Sequence, residues 1–183
     1  MAIGFYTQKI KDNKKTQVTY AYNGYKSMTF TNTHTAAVGI TLYVTSQLGT
    51  DIATTGTDIN QTVSPSGYAA TTSSQAIVLS ATAATSDAFL NERVYKSDGS
   101  LIGTCTTFTD GTHITFAAGL VNDIADAAVL HTGTRYTMLS VVKIPANTAL
   151  QLHPEDFEFD TESYNMYINS SNASGLIDII TRY

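Results

Sequence analysis

Alternation of apolar and polar residues between positions 16 and 44 is the feature that most restricts how this chain can fold. Asn23-Gly24 lies inside this stretch and favours a two-residue hairpin, because both turn positions need positive φ. Apolar residues at every second position have the period of a strand with one buried face. The segment therefore predicts a three-stranded β-meander. Its apolar runs are Val18, Tyr20 and Tyr22, then Met28 and Phe30, then Ile40, Leu42 and Val44.

Composition favours strands along the rest of the chain as well. Thirty of the 183 residues are threonine and eleven are tyrosine, and both suit the half-buried surface of a sheet. We predict a mainly β protein, an antiparallel β-sandwich or jelly-roll-like fold with a small α/β insertion and an extended N-terminal arm. The further predicted strands are 76–79, 93–96, 100–108, 113–116, 135–143, 148–152, 157–159, 164–168 and 176–181.

The middle of the chain differs from its flanks. Residues 47–75 are rich in Thr, Ser, Gly and Asp, which indicates a long exposed loop or a segment that a partner orders. Residues 86–92 and 120–130 have the pattern of short helices. We therefore divide the chain into an arm at 1–15 and a β-sandwich domain at 16–183, with 47–134 as an insertion.

Basic residues concentrate in the arm. Lys9, Lys11, Lys14 and Lys15 lie within seven residues. The pattern suits either a solvated, flexible segment or an arm that docks on an acidic neighbouring subunit, and a nucleic-acid contact is the weaker alternative. The net charge of −5 argues against a general nucleic-acid-binding role.

Acidic residues concentrate between positions 155 and 162. Glu158 and Asp160 alternate with Phe157 and Phe159, as in a strand with one apolar and one acidic face. We interpret this run as a solvated or subunit-facing edge. The candidate partner-binding residues are Lys9, Lys11, Lys14, Lys15, Glu158 and Asp160.

Motifs of catalysis and cofactor binding are missing from the sequence. The four histidines have no metal-ligand spacing, the lone Cys105 excludes an intrachain disulfide, and no P-loop, dinucleotide fingerprint or Gly-x-Ser-x-Gly elbow occurs. We expect no cofactor, no metal and no catalytic residue. No apolar run is long enough for a membrane span, and only 14% of residues are charged against about 25% in typical soluble domains, which suggests surface covered by partners.

Two regions carry a resemblance to a known class of proteins. The segment 141–152 (VVKIPANTALQL), the acidic-aromatic 157–160 (FEFD) and the final run 176–180 (LIDII) are similar to β-rich virion structural proteins of tailed bacteriophages, particularly marine ones. Residues 39–44 (GITLYV) match the strand that precedes an insertion in this class. The resemblance covers 26–46 and 135–183, implies a β-sandwich, and supplies no active site.

The expected function is that of a non-catalytic virion subunit that binds other capsid subunits as a decoration or cement protein. A neck, collar or tail-fibre-attachment subunit is the alternative position, and homo-oligomers are expected in either case. The expected location is the virion, after synthesis in the host cytoplasm. Two other functions remain open: a receptor- or glycan-binding module using exposed tyrosines such as Tyr68 or Tyr95, and a hydrolase using acids of the 155–162 run.

Overall fold

The computed structural model describes most of the 183 residues and divides the chain into two compact units. The jelly-roll unit comprises Met1–Val44 and Tyr136–Tyr183, and the inserted unit comprises Thr45–Arg135. The predicted insertion, 47–134, lies entirely inside the second of these. The described residues are 4–10, 14–18, 26–55, 60–64, 66–80, 89–109, 112–156, 160–172 and 176–182.

Strands from both ends of the chain build the jelly-roll unit. They form two four-stranded sheets, ordered β1-β15-β3-β13 and β12-β4-β14-β2. The strands are β1 (Phe5–Ile10), β2 (Thr16–Gln17), β3 (Ser27–Asn32), β4 (Val38–Ser46), β12 (Arg135–Ile144), β13 (Ala149–Leu152), β14 (Tyr164–Ser170) and β15 (Ile177–Arg182). A single 3₁₀ turn, Pro154–Asp156, follows β13.

The pairing of these strands is nested. The first strand lies beside the last, β2 beside β14, β3 beside β13, and β4 beside β12. A long antiparallel hairpin that folds back on itself produces this order, which is the topology of a jelly roll. Along the sequence, the inserted unit is placed between β4 and β12, the two strands at the tip of that hairpin. Because those two strands are neighbours, the ends of the insertion start close together, which is where insertions disturb a domain least.

Inward-facing side chains of both sheets form one apolar core in the jelly-roll unit. The alternating residues of β4 that the sequence pattern marked, Ile40, Leu42 and Val44, are all buried in it. The prediction of a mainly β, sandwich-like fold is therefore confirmed. The other core residues are Ile10, Val18, Met28, Phe30, Val38, Ile144, Leu152, Met166, Ile168, Ile177 and Ile179.

The inserted unit is also built from strands around its own core. Its sheets are ordered β5-β11-β7-β8 and β6-β10-β9. Phe89, Phe116 and Cys105 lie among the fully buried residues of that core. The strands are β5 (Asn60–Thr62), β6 (Gln75–Val78), β7 (Arg93–Lys96), β8 (Leu101–Thr104), β9 (Thr107–Thr109), β10 (His113–Phe116) and β11 (Val129–Thr132).

The predicted helix at 120–130 is wrong. Leu120 and Ile124 are buried as expected, but they form isolated β-bridges separated by a bend: Leu120 exchanges both hydrogen bonds with Thr71, and Ile124 exchanges both with Tyr68. Leu120, Ile124, Ala127 and Ala128 would share one side of such a helix, and the two alanines bury too little area to hold it against this pairing.

The other predicted helix, 86–92, is wrong for its described part, 89–92, which is a turn: the Glu92 N–H donates to the Phe89 carbonyl oxygen, and Asn91 has a φ of 63°. Residues 86–88 lie outside the described residues.

Three further expectations need correction. The meander is wrong, because β2, β3 and β4 alternate between the two sheets, while the Asn23-Gly24 turn itself lies outside the described residues. The free arm at 1–15 is wrong for Phe5–Ile10, which pairs residue by residue with β15. The long loop at 47–75 is wrong for its described part, in which Ile52 bridges Gly133 and Asn60–Thr62 is a strand.

Candidate interaction surface

The outer face of the β1–β15 pair is the clearest candidate for a functional surface in the described residues. Register places Phe5 opposite Arg182, Thr7 opposite Ile180, and Lys9 opposite Asp178. Residues directly opposite in an antiparallel pair point to the same side. Ile177 and Ile179 alternate with these residues and are buried in the core, so the six residues of the register pairs face outward.

Large apolar side chains are exposed on this face. Phe5 is 66% exposed and Ile180 is 40% exposed, and they occupy diagonal positions across the two strands. Leu176, just before β15, is 42% exposed on the same side by alternation. Single exposed apolar residues are ordinary, but Phe5 and Ile180 are neighbours with Arg182 at one end and the Lys9–Asp178 pair at the other, an arrangement typical of a contact surface. Leu176 lies beyond the Lys9–Asp178 pair.

Lys9 is the predicted site residue that lies on this face. Its Nζ is 3.7 Å from Asp178 Oδ1, and its side chain remains 68% exposed. Solvent screening makes such a pair weak in the isolated chain, so Lys9 stays available to a partner. Beside the pair runs a groove of about 500 Å³, lined by Thr7, Gln8, Lys9, Asp178, Ile179 and Ile180.

Lys15 is not part of an exposed arm, and that expectation is wrong. The residue is 3% exposed, and its Nζ lies 5.6 Å from the centroid of the Tyr167 ring. Tyr167 stacks in turn on Tyr43, with centroids 5.7 Å apart. Burial of the ammonium beside an aromatic face makes a cation–π contact, so Lys15 has a structural role in the jelly-roll unit. Lys14 next to it is exposed.

The described residues of the acidic segment form a loop in which two aspartates accept hydrogen bonds from neighbouring residues. The Asp156 carboxylate accepts a hydrogen bond from the His153 N–H, and the Asp160 carboxylate accepts from the Glu162 N–H and from the Ser163 hydroxyl. The bond from Ser163, followed by that from Glu162, lowers the pKa of Asp160 below its ordinary value. Lys11 and Glu158, the remaining predicted partner-binding residues, lie outside the described residues.

A serine and a histidine meet in the inserted unit. Ser97 Oγ is 2.9 Å from His131 Nε2, and His131 Nδ1 is 3.0 Å from the Ala53 carbonyl oxygen. Because the Ala53 carbonyl oxygen can only accept a hydrogen bond, His131 Nδ1 must carry the proton. In a neutral imidazole Nε2 then has no proton, so it accepts a hydrogen bond from the Ser97 hydroxyl. A nucleophilic serine would also need donors for an oxyanion. In the turn that follows Ser97, the Gly99 and Ser100 N–H groups already donate to Lys96 O and Asp98 Oδ1. We therefore interpret the Ser97–His131 hydrogen bond as structural: it orients the imidazole that donates to Ala53 in the 47–55 loop.

Tyr95 and Tyr68 are not the exposed tyrosines that a glycan-binding role would use. Tyr95 is buried, and burial raises the pKa of its hydroxyl, against a smaller opposing effect of Arg93. The Tyr68 hydroxyl accepts a hydrogen bond of 3.0 Å from the Val78 N–H, and its ring packs against the core. Both residues stabilise the inserted unit.

A buried ion pair lies elsewhere in the inserted unit. Glu92 is fully buried, and its Oε1 is 3.0 Å from Arg135 Nη2. Sequence reasoning gave no signal for this pair, because the two residues are far apart along the chain. Within the described ranges, no three His, Cys, Asp or Glu side chains converge in a way that would hold a metal ion. The same residues include no helix with the length and apolar character needed to cross a membrane.

No protein-family model, curated protein or solved structure matches this chain.

Proposed function

We propose that the chain is a structural subunit of a virion that binds other protein subunits through the outer face of β1 and β15. The observation that supports this most directly is the pair of exposed apolar side chains, Phe5 and Ile180, on two adjacent strands. Phe5 and Ile180 lie between Arg182 and the Lys9–Asp178 pair, so they form a small apolar centre with charged residues at both ends, as in an interface.

Three other features agree with an assembling role. The charged fraction of 14% is low for a protein whose whole surface meets water. The jelly roll is an architecture that capsid proteins share with lectins and cupins, which is an argument by analogy. The sequence resemblance of 26–46 and 135–183 to phage virion proteins points to the same class. A decoration or cement position on the capsid is our first proposal, and a neck or tail position is the second.

Incorporation into particles tests the proposal. Deleting the first 15 residues is unsuitable, because it would remove β1 from its sheet. We would instead supply the Phe5→Ser/Ile180→Ser variant as the sole source of the protein during assembly. Both side chains are exposed, so the fold should survive while copies per virion, counted by mass spectrometry, fall at least several-fold.

Leu48→Ser is the control, since Leu48 lies in the inserted unit and is 44% exposed, close to the 40% of Ile180. Control virions should keep the wild-type copy number, and cryo-electron microscopy of them should show density for the chain at a fixed position. Purified virions that contain none of the wild-type chain would refute the proposal. Normal incorporation of the double variant would refute the assignment of the β1–β15 face.

A further inference from the structure

We propose that copies of this chain associate head to tail, with the β1 edge of one copy against the β13 edge of the next. The inference rests on the proposed structural role and names the partner as a second copy of the chain. It starts from the sheet ordered β1-β15-β3-β13, in which β1 and β13 are the outer strands among the described residues. Edge strands have backbone groups that can pair with another strand.

Strand direction makes the two edges compatible. β1 and β15, β15 and β3, and β3 and β13 are all antiparallel pairs, so β13 runs opposite to β1. A copy displaced sideways along the sheet would therefore place its β1 antiparallel to β13 of its neighbour. The new pair would continue the alternation of the existing sheet, and backbone hydrogen bonds across it would follow the ordinary antiparallel pattern.

Charge is distributed so that these two edges attract. Leu152 at the end of β13 is level with Met28, Thr181 and Tyr6 across the sheet. The acidic turn Pro154–Asp156 follows directly, so it lies at the same end of the sheet as Phe5 and Arg182.

The cations at that end belong to β15 and the start of β3. Arg182 is exposed, and its carbonyl accepts the Lys26 N–H, which places Lys26 beside it. The exposed carboxylates of Glu155 and Glu162 lie in the loop after β13. In a head-to-tail pair, Arg182 of one copy, one strand in from β1, would approach this acidic loop of the next, whereas Lys26 lies at the start of β3, the strand that pairs with β13 of its own copy. Pairing β1 with a second β1 would instead leave the acidic loop after β13 at the far edge of each sheet, away from the contact.

A heterologous contact of this kind repeats until the copies close a ring or form a filament. The structure therefore accounts for an assembling subunit with an exposed arginine one strand in from the β1 edge and an acidic loop directly after the β13 edge. Lys9 contributes less to this contact than Arg182, because Lys9 lies at the opposite end of β1 and forms an ion pair with Asp178 of its own copy.

Paired charge reversals test the inference in the full-length chain. We would measure the sedimentation of Arg182→Glu and of Glu155→Lys, alone and as an equimolar mixture. The wild-type chain should show concentration-dependent association, and each variant alone should associate at least about tenfold more weakly, because each sets like charges across the contact. Mixing should restore association, since Glu at position 182 of one variant would then face Lys at position 155 of the other.

Lys143→Glu is the matched control, because Lys143 is an exposed cation on β12 in the other sheet. This variant should associate like the wild-type chain. A wild-type chain that stays monomeric at all concentrations, or a mixture that shows no rescue, would overturn the head-to-tail contact. An effect of Arg182→Glu without any effect of Glu155→Lys would also overturn it. Incorporation into virions, measured separately, would still decide the structural role, so the two proposals can fail independently.

Discussion

The jelly-roll unit and the inserted unit are both built from antiparallel strands around an apolar core, but different contacts hold them together. In the jelly-roll unit, the long strand β4 buries all but one of its nine residues, and β15 buries every second side chain in the core between two sheets. In the inserted unit, strands are short, and pairs of backbone segments approach each other so closely at glycines that a side chain would not fit. A Cβ on Gly133 would lie 1.9 Å from the Ser46 carbonyl oxygen, and one on Gly99 would lie 2.3 Å from that of Gly49.

This difference shows which kind of sequence information each unit depends on. The jelly-roll unit depends on apolar periodicity, which tolerates exchange among residues of similar size. The inserted unit depends on individual residues, namely its glycines, the Glu92–Arg135 pair and His131 under the 47–55 loop. We therefore expect the two units to respond differently to substitution, and to unfold as separate blocks.

Removing a core aromatic ring from either unit should have the largest effect. Phe30 and Phe116 are both fully buried, one in each core. Each alanine substitution should lower the free energy of unfolding by roughly 3–5 kcal/mol. Hydrogen exchange should show where: Phe116→Ala should raise exchange mainly within residues 45–135, and Phe30→Ala mainly outside them. Equal acceleration across the whole chain would mean that the units unfold as one.

Glycine substitutions compare the two kinds of contact directly. Gly133→Ala forces a methyl group into the Ser46 backbone and should cost roughly 1–3 kcal/mol or more in denaturant unfolding. Gly39→Ala in β4 meets the Ser171 hydroxyl at 3.0 Å, a side-chain atom that can shift at the cost of the hydrogen bond it accepts from the Gly39 N–H, so the loss should be smaller than that from a clash with backbone. Equal losses at the two positions would contradict the view that backbone crossings distinguish the inserted unit.

The sequence predicted strands well and their partners badly. Residues 93–96 and 113–116 match β7 and β10, because alternation and flanking turns are local signals. The pairing of β1 with β15 joins the two ends of the chain, and no local pattern encodes such a contact. This is why Phe5–Ile10 was predicted to be a free arm and β2 to β4 a meander.

The candidate surface was predictable only in part. Lys9 could be identified from the basic cluster, but Arg182 and Phe5 could not, since their exposure follows from the register of β1 and β15. Lys15 was assigned to the same arm, although burial against Tyr167 gives it another role. A cation over an aromatic ring that is distant in sequence leaves no trace in spacing.

Replacing Lys15 tests whether the jelly-roll unit also depends on a specific polar contact. Lys15→Met keeps much of the side-chain volume but removes the charge above Tyr167, and should lower stability by about 0.5–2 kcal/mol in denaturant unfolding. Lys14→Met, at the exposed neighbour, should leave stability within about 0.5 kcal/mol of wild type. If Lys15→Met instead raised stability, desolvation of the ammonium would outweigh its contact with the ring.

The smallest expected effect comes from hydrogen bonds to aspartates in local turns. Both units contain such a turn, so the effect should be similar in both. In the inserted unit, the pKa of Asp98 is lowered mainly by a hydrogen bond from the Ser100 backbone N–H. In the jelly-roll unit, the pKa of Asp160 is lowered mainly by the hydrogen bond from the Ser163 hydroxyl. A carboxylate whose pKa is lower in the folded state stabilises it above the unfolded pKa of about 3.9, and the contribution is lost as pH falls through the folded value.

Asp98→Asn and Asp160→Asn should therefore each lower the melting temperature slightly at pH 6, and the difference from wild type should disappear on acidification below the folded pKa values. Nuclear magnetic resonance titration of the two carboxyl carbons should give midpoints below about 3.9 in the wild-type chain. Glu162→Gln removes one charge from the Asp160 loop while keeping the Glu162 N–H that donates to Asp160, so it controls for net charge. A deficit of either Asn variant that persists unchanged at low pH would show that the carboxylate hydrogen bonds are not its source.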